Sequence, residues 1–345
     1  ILNYNTRLLG RKGVMEANLV VEPSKLSETL PIYSDLLKTY RFQEGERFEG
    51  QGPRGGPLWK PFLFARDGDY QFVKVYNSKS DQDGRPLRTL CLDFLIHGYA
   101  DPDDPGHLEY DYELVYRDIT LRCMQGRGRL DAFFLGGGSY TFPRWVQAEY
   151  PGSRCDVAEI DPLVLEANHA ALGLPRSTEI HTYIGDARIV AEEQLPSGRT
   201  YDLIFGDAFN DLSVPWHLTT LEFTRTLKGR LKADGVYMAN VIDDYQFGML
   251  LGAYISTLQQ VFAHVYVFCT VRDGVGEGQE TFVVAASEKP LDVNGWRAKD
   301  AAGFPGALLS PEELASLKQK SGGRILTDDD APVENLLEPV VRHRE

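Results

Sequence analysis

The sequence predicts an α/β fold with a mostly parallel sheet, and two patterns support that prediction. From residue 131 onward, short apolar runs alternate with amphipathic stretches, which is typical of strands and helices that follow one another in a parallel sheet covered on both faces. Between residues 70 and 93, apolar residues instead recur at every second position, as in a small antiparallel sheet. We therefore expect a small N-terminal antiparallel β domain followed by a larger α/β domain.

The first 125 residues contain an extension and then the β region. Apolar residues at helical spacing predict a helix from Leu26 to Tyr40, and the glycine- and proline-rich residues 44–58 predict an exposed loop. One strand is predicted from Tyr70 to Tyr76 and another around residues 89–93, with a turn-rich connection between them. A helix is expected from Leu108 to Cys123.

The remaining chain supplies alternating strands and helices. Strands are predicted at 132–135, 155–160, 179–185, 201–206, 235–242, 264–270 and 281–286. Helices are predicted at 140–150, 163–171, 187–195, 217–232 and 246–261. Only a glycine-containing loop separates the last two strands, so we expect a terminal antiparallel pair. Residues 288–322 are less regular, and the segment LTDDDAPVENLL predicts an acidic loop before a short apolar segment.

Length and composition limit the possible functions. At 345 residues the chain has room for more than one domain, and we expect boundaries that give segments 1–60, 61–125, 126–290 and 291–345. The net charge of −14 argues against a nucleic-acid surface and mildly favours cationic substrates. The four cysteines are widely spaced and lack a zinc-binding pattern, which favours reduced thiols in the cytoplasm.

The beginning of the sequence bears on a possible membrane attachment. No apolar run is long enough to span a bilayer. The chain begins at Ile1, and Arg7, Arg11 and Lys12 lie close to that start. These cations either flank a preceding membrane segment on its cytoplasmic side or belong to an ordinary solvated surface. We expect a cytoplasmic protein or the cytoplasmic part of a membrane-anchored one.

A glycine-rich turn between two predicted strands is the strongest functional signal. Gly136, Gly137 and Gly138 follow one apolar run, and the next run ends at Glu159 and Asp161. Glycines allow close backbone approach to a ligand, and an acid roughly 20 residues further on can accept hydrogen bonds from ribose hydroxyls. The alternative is a turn that only packs helix on sheet. The spacing is not G-x-G-x-x-G, which disfavours a dehydrogenase.

Acids follow three of the predicted parallel strands, where ligands collect in open α/β sheets. They are Glu159 and Asp161, then Asp186, then Asp207. Each could instead be a helix N-cap or a solvated loop residue.

The segment after Asp207 carries further polar residues. Asp207, Asn210 and Asp211 could surround an amine, and Asp207 could take its proton. His217 is either a helix-start residue or a base, with the first more expected. Trp216 is either a core residue or a cation–π wall for a sulfonium.

These motifs resemble the spermidine synthase (polyamine aminopropyltransferase) family. The resemblance runs from Leu135 to Glu222 through LGGG, VAEIDP, IGDAR, YDLIFGDAF and LTTLEF, and the β region resembles the family's N-terminal domain through LCLDFLIH and HLEYDYE. The segments GGGSYTFPR, DPDDPGHLEYDYE, DAFNDLSVPWHLTT and TDDDAPVENLL resemble the branch fused to membrane-transporter-like segments.

The resemblance implies a Rossmann-like S-adenosylmethionine-dependent transferase sheet. It implies a nucleoside sulfonium donor, either S-adenosylmethionine or its decarboxylated form, with no metal, a small-molecule amine as acceptor, and a homodimer. Glu159 would hold the ribose, Asp186 the adenine amino group, and Asp207 would be the catalytic acid. The implied catalytic set is Asp207, Asn210, Asp211 and Tyr112. The implied donor-binding set is Gln71, Gly136, Gly137, Gly138, Ser139, Glu159, Ile160, Asp186, Ala187 and Asp207.

The sequence also departs from the family pattern at substrate-gripping positions. Ser139 stands where the family has an acid that binds the donor's primary amine, and Asn210-Asp211 replaces its second acid and proline. Asp111-Tyr112-Glu113 replaces Tyr-His-Glu, and His97 replaces a glutamine. Losing one charge-assisted contact costs roughly 1.5–3 kcal/mol, and losing the acid also makes intact S-adenosylmethionine a plausible donor.

Three functions remain open from the sequence. The first is an aminopropyl-type transferase that releases methylthioadenosine. The second is a methyltransferase that uses the same pocket and releases S-adenosylhomocysteine. The third is a non-catalytic nucleoside-sensing domain of a membrane protein. We favour the first, because Asp207 stands where an amine nucleophile needs a base.

Overall fold

The computed structural model of the chain describes residues 2–10, 13–21, 62–208, 214–270, 278–293, 296 and 306–342. It divides into two compact units, residues 1–61 and 62–345. In the first unit, β1 (Leu2–Gly10) and β2 (Gly13–Val21) form an antiparallel hairpin that pairs Leu2 with Val21. The sequence patterns did not predict this hairpin. The helix predicted from Leu26 to Tyr40 lies outside the described residues.

In the second unit, the predicted small antiparallel sheet is confirmed. Its strands lie in the order β3 (Phe62–Asp67), β4 (Phe72–Lys79), β5 (Pro86–Leu92) and β6 (Leu95–Ala100). Alternation buries Val73 and Val75 completely. Two predicted strand ends were wrong: Tyr70 lies in a bend before β4, and Asp93 adopts a positive φ of 53° in the turn after β5.

The large sheet is mostly parallel, also as predicted. Its eight described strands lie in the order β14-β12-β13-β11-β10-β7-β8-β9. Strands β11, β10, β7, β8 and β9 are parallel, and β13, β12 and β14 pair antiparallel at one edge. Their bounds are β7 Asp131–Leu135, β8 Arg154–Glu159, β9 His181–Ile184, β10 Tyr201–Gly206, β11 Leu231–Asp244, β12 His264–Cys269, β13 Gln279–Ser287 and β14 Ala307–Leu308.

The order of the parallel strands determines where a ligand can bind. From β7 the chain adds β8 and β9 on one side and then β10 and β11 on the other. Such a switch point leaves a crevice beyond the carboxyl ends of the two central strands. The crevice here lies beyond Leu135 of β7 and Gly206 of β10.

The helices follow the predicted order, with differences at their ends. They are α1 Asp111–Cys123, α2 Thr141–Glu149, α3 Pro162–Ala167, α4 Ala187–Ile189, α5 Leu221–Arg230, α6 Leu250–Leu258, α7 Pro311–Lys320 and α8 Val333–Arg342. The predicted helices 163–171 and 187–195 each change to a π-helical turn, at Asn168–Leu172 and Val190–Gln194. The predicted helix 217–232 was wrong at both ends, because a 3-10 turn covers Trp216–Leu218 and β11 begins at Leu231.

Helix α7 was not predicted within the less regular segment 288–322. Its start carries a capping box, in which the Ser310 hydroxyl accepts the Glu313 N–H and the Glu313 carboxylate accepts the Ser310 N–H. This pair satisfies two N–H groups that a helix start otherwise leaves unbonded. The S-P-E-E signature was present in the sequence and could have revealed the helix.

Three apolar clusters hold the second unit together. Side chains alternate along β10, so that Ile204 joins the core on one face of the large sheet and Phe205 the core on the other. The third cluster packs Val73 and Leu90 of the small sheet on Val164 of α3. The small sheet is thereby fixed beside the carboxyl ends of the parallel strands. In the described ranges, no helix is both long and apolar enough to cross a membrane.

Candidate functional site

A solvent-open cavity of about 480 Å³ lies at the crevice between the central strands and the small sheet. The parallel strands contribute Glu159 and Asn240 to its wall, the segments after β9 and β10 contribute Asp186 and Asp207, and the small sheet contributes Leu95. A cavity of this size with a few convergent polar groups is the usual form of a small-molecule site.

The glycine turn forms the floor of this cavity. Gly136 has a φ of 99°, a conformation that favours glycine, and a Cβ on it would lie 2.4 Å from the Asp207 carbonyl oxygen. Gly138 also has a positive φ, of 49°, and its carbonyl accepts a hydrogen bond from Asn168 Nδ2 at 2.7 Å. The turn therefore exposes bare backbone to the cavity, and Asn168 is a support that the motif did not reveal.

Glu159 is anchored by backbone groups. Its Oε2 accepts the Gly137 N–H at 3.0 Å and its Oε1 accepts the Asp161 N–H at 2.9 Å. Burial raises the pKa of Glu159, and these backbone hydrogen bonds oppose the rise. The carboxylate lines the cavity with acceptor capacity left for ligand hydroxyls. Asp161, by contrast, caps α3 by accepting the Leu163 N–H at 2.8 Å, so the N-cap interpretation holds for it.

Asp186 lies further along the same wall. Its Oδ1 accepts the Arg188 N–H at 2.9 Å and the Ile189 N–H at 3.2 Å. Its Oδ2 lies 2.7 Å from His217 Nε2. Burial acts to raise the pKa of Asp186, but the hydrogen bond from His217 and its charge outweigh it and the pKa is lowered. Asp186 therefore presents an ionised acceptor to the cavity.

Asp207 occupies the centre of the crevice. Its Oδ2 accepts the Tyr112 hydroxyl at 3.0 Å and its Oδ1 accepts Asn240 Nδ2 at 2.9 Å. Burial raises the pKa of Asp207 to about 6, although both hydrogen bonds act to lower it. A carboxyl group with a pKa near neutrality can take up and release a proton under physiological conditions.

Asn240 completes this centre. Asn240 is buried, with only 8% of its surface exposed, and it lines the cavity. Its Nδ2 is used by Asp207, whereas its Oδ1 has no hydrogen-bond partner among the described residues. A buried unpaired acceptor is costly, so a ligand N–H at this point would be stabilising.

A small chamber of about 20 Å³ adjoins the cavity and shares Gly136, Gly138 and Asp207 with its lining. It is lined by Glu113 and by aromatic side chains such as Tyr116 and Phe142. Burial and the neighbouring charge of Asp207 raise the pKa of Glu113 to about 8. The Glu113 carboxylate also accepts the Tyr110 N–H at 3.4 Å, which caps α1.

The other predicted site residues fall into three groups. Gln71, Ile160 and Ala187 line the cavity, and Gln71 Oε1 is buried with no partner in the described part of the chain. Ser139 lines only the small chamber, and its hydroxyl contacts Thr141 Oγ1 at 2.6 Å. Asn210 and Asp211 lie outside the described residues, so their predicted roles stay predictions.

Sequence reasoning missed Asn240, and it named His217 without placing it beside Asp186. Asn240 and His217 reach acids predicted from motifs, but they come from other segments of the chain. Only the position of Asn240 near the end of a predicted strand could have suggested its place. In the described ranges, no group of three or more His, Cys, Asp and Glu side chains is arranged to hold a metal ion.

Comparisons with known proteins connect this geometry to a family. A polyamine aminopropyltransferase from Vibrio vulnificus is 34% identical over 134 residues, which are 39% of this chain and 43% of that protein. A probable polyamine aminopropyl transferase from Bifidobacterium longum is 28% identical over 222 residues, 59% of this chain and 48% of that protein. The chain is related to the spermidine synthase family. The matches span less than half the length of these two relatives.

A solved structure supports the fold of that family. A probable spermidine synthase from Corynebacterium glutamicum superposes with a TM-score of 0.65 at 22% identity, covering 79% of this chain and 98% of that chain. The spermidine synthase fold is therefore confirmed. A family model described as a protein of unknown function (DUF2167) matches residues 1–54, which lie within the first compact unit.

Proposed function

We propose that the chain transfers an aminopropyl-type group from an S-adenosyl sulfonium donor to an amine, with Asp207 as the base. The observation that carries this proposal is the Asp207 centre, where a buried carboxyl with a pKa of about 6 lies in the same cavity as Glu159 and Asp186. The curated relatives named polyamine aminopropyltransferases support the reaction type.

The residues present fit a nucleoside donor. Glu159 and Asp186 line one side of the cavity as hydrogen-bond acceptors, which suits ribose hydroxyls and the amino group of adenine. Gly136 leaves open backbone where the sulfur would approach, and the buried Gln71 Oε1 offers a further acceptor. Ile160 and Ala187, each next to one of these acids in sequence, add apolar surface to the cavity lining.

Asp207 accepts a proton from the ammonium form of the acceptor, which frees the nitrogen lone pair. The nitrogen then attacks the carbon next to the sulfonium, so that a C–N bond forms, the C–S bond breaks and its electron pair leaves with sulfur as a thioether. Tyr112 and Asn240 fix both oxygens of Asp207 and hold it in position throughout. Sulfur loses its positive charge in this step and no oxyanion forms. The reaction therefore needs no oxyanion hole.

The donor's tail is the part that the site specifies least. Ser139 carries no charge, and its hydroxyl is bonded to Thr141 Oγ1. Without an acid at this point, a donor carboxylate is not repelled. Intact and decarboxylated S-adenosylmethionine are therefore both candidate donors. Asn210 and Asp211 stay in the proposed acceptor site because they follow Asp207 closely in sequence.

The identity of the product tests the proposal. The protein is incubated with each donor in turn and with 1,4-diaminobutane or a monoamine such as butylamine, and the products are identified by mass spectrometry. Methylthioadenosine together with an alkylated amine is expected, and Asp207→Asn is the matched control, which should form both far more slowly. S-adenosylhomocysteine as the product would instead establish a methyltransferase. Binding of a donor without any product would favour a nucleoside sensor.

The assembly and setting of the chain are further proposals that rest on the family resemblance. We propose a homodimer in the cytoplasm, organised in the segments 1–60, 61–125, 126–290 and 291–345 and attached to transporter-like segments. Light scattering of the purified chain tests the dimer, and a single-chain mass would contradict it.

A further inference from the structure

The Asp186 carboxylate is held from two directions. Backbone N–H groups of Arg188 and Ile189 occupy its Oδ1, and the ring of His217 lies 2.7 Å from its Oδ2. An ionised carboxylate can only accept hydrogen bonds, so Nε2 of His217 carries the hydrogen and donates it. His217 comes from a 3-10 turn 31 residues further along the chain, and it therefore connects two walls of the cavity.

The position of His217 is itself fixed by an ion-pair network. Arg188 donates to the His217 carbonyl at 3.2 Å and forms two hydrogen bonds to Asp328, of 2.7 and 2.6 Å. The Asp328 N–H in turn donates to Glu222 at 3.0 Å. The acidic TDDDAP segment is thereby attached to the turn that carries His217. A guanidinium that binds a carboxylate with two parallel bonds gives geometric definition as well as energy.

These contacts limit the number of further hydrogen bonds that the Asp186 carboxylate can accept. Oδ1 already receives two hydrogen bonds, and Oδ2 receives one from His217. The second lone pair of Oδ2 is therefore the main acceptor position left for a ligand. It can accept a hydrogen bond only from a donor group of that ligand. The amino group at position 6 of adenine is a donor, whereas the oxygen at the same position of hypoxanthine is an acceptor and would face a negative charge.

We propose that His217 is a positioning residue that fixes the Asp186 carboxylate, so that the site selects 6-aminopurine nucleosides over 6-oxopurine nucleosides. This inference rests on the proposed function, because it requires a nucleoside at Asp186. The lowered pKa of Asp186 agrees with it. Lone-pair matching of this kind can reject a mismatched ligand by roughly 10²-fold or more, because a buried polar group is left opposed or unpaired.

The test measures binding of two product-like nucleosides that differ only at position 6. Methylthioadenosine and methylthioinosine are titrated calorimetrically into the wild-type protein, His217→Leu and His217→Gln. We expect the wild-type protein to prefer methylthioadenosine by about 100-fold, and His217→Leu to lower that preference by about 10-fold or more. His217→Gln should restore most of it, since its amide can donate to Oδ2. His181→Leu is the matched control, because His181 is exposed at the start of β9, and it should keep the wild-type ratio.

Kinetics separate a positioning role from a general structural one. With the donor varied at saturating amine, His217→Leu should raise the donor KM by about 10-fold and change kcat by less than about 3-fold, since the adenine contact exists before and during the reaction. An unchanged preference in His217→Leu, or an equal loss of affinity for both nucleosides, would overturn the inference while leaving the proposed function intact. Failure of the wild-type protein to bind methylthioadenosine would overturn both. If His217→Leu does not fold, His217→Asn, whose shorter side chain cannot reach Oδ2, takes its place.

Discussion

The two ends of the cavity hold their carboxylates in different ways. At the end that we propose binds the nucleoside, hereafter the nucleoside end, Glu159 and Asp186 receive N–H groups of residues close to them in the folded turns, such as Asp161 and Arg188. At the reacting end, Asp207 is held by two side chains, from 95 residues before it and 33 residues after it. The backbone donors on Glu159 and Asp186 oppose the effect of burial on the pKa of each acid, whereas a phenol and an amide leave the pKa of the buried Asp207 at about 6.

The first prediction concerns the reacting end and has the largest expected effect. Asp207→Asn removes the proton acceptor but keeps the shape of the side chain. We expect kcat to fall by roughly 10²–10⁴-fold, the usual contribution of general base catalysis, while the affinity for the donor changes by less than about 3-fold. Turnover and calorimetric donor binding are measured on the same preparation. Unchanged turnover would remove Asp207 from the mechanism.

The second prediction concerns the nucleoside end. Glu159→Gln replaces a carboxylate with an amide, which accepts hydrogen bonds from ribose hydroxyl groups less strongly. We expect the donor dissociation constant to rise by roughly 10-fold, since a hydrogen bond to a charged group contributes about 1.5–3 kcal/mol, and kcat at saturating donor to change little. A variant that loses kcat as strongly as Asp207→Asn would show that the two ends are not separate in function.

The third prediction concerns the side chains that hold Asp207. Tyr112→Phe and Asn240→Ala each remove a hydrogen bond that lowers the pKa of Asp207. The pKa should therefore rise, and the acid limb of the pH–kcat profile should move upward by about 0.5–1 pH unit in each variant. Asn240→Ala should also weaken acceptor binding, because it removes the unpaired Oδ1. A limb that does not move would contradict the assignment of the limb to Asp207.

The fourth prediction concerns stability and has the smallest effect on activity. The pKa of Glu113 is about 8 in the folded chain against an ordinary value of 4.5. Its protonated form stabilises the fold below about pH 4.5, and this contribution is lost as the pH rises through about 8. Glu113→Gln cannot titrate. Relative to the variant, the wild-type free energy of unfolding should therefore decrease between these pH values, on the order of 4 kcal/mol.

Denaturant unfolding at about pH 5 and at about pH 8.5 provides the measurement for Glu113. The wild-type protein and Glu113→Gln are compared at both pH values, because the difference between them cancels the titration of other buried acids. A constant difference would show that the pKa of Glu113 is not raised by folding.

The sequence was sufficient to predict the parts of the site that local geometry determines. The glycine turn and the acids at the strand ends follow from short motifs, and neighbouring backbone N–H groups hold Glu159 and Asp186 there. The parallel sheet followed from the alternation of apolar runs, since the strands β7, β8 and β10 are buried along most of their length. The resemblance to the spermidine synthase family came from the same motifs.

The contacts between distant segments could not be predicted in this way. Asn240 reaches Asp207 because β11 lies beside β10, with Ala239 opposite Gly206, and no motif specifies that register. Likewise, His217 meets Asp186 only once the 3-10 turn has folded against α4. The misplaced helix at residues 217–232 shows the same limit, because pairing with β10 draws Leu231 into β11 against its helical pattern.

The measurement that tests the account most directly is the pH dependence of methylthioadenosine release at saturating donor and amine. The account predicts an acid limb with a midpoint near pH 6, set by Asp207, which is displaced upward in Asn240→Ala and absent from the residual rate of Asp207→Asn. A rate that is independent of pH between about 5 and 8 in the wild-type protein, or a limb that persists in Asp207→Asn, would contradict it.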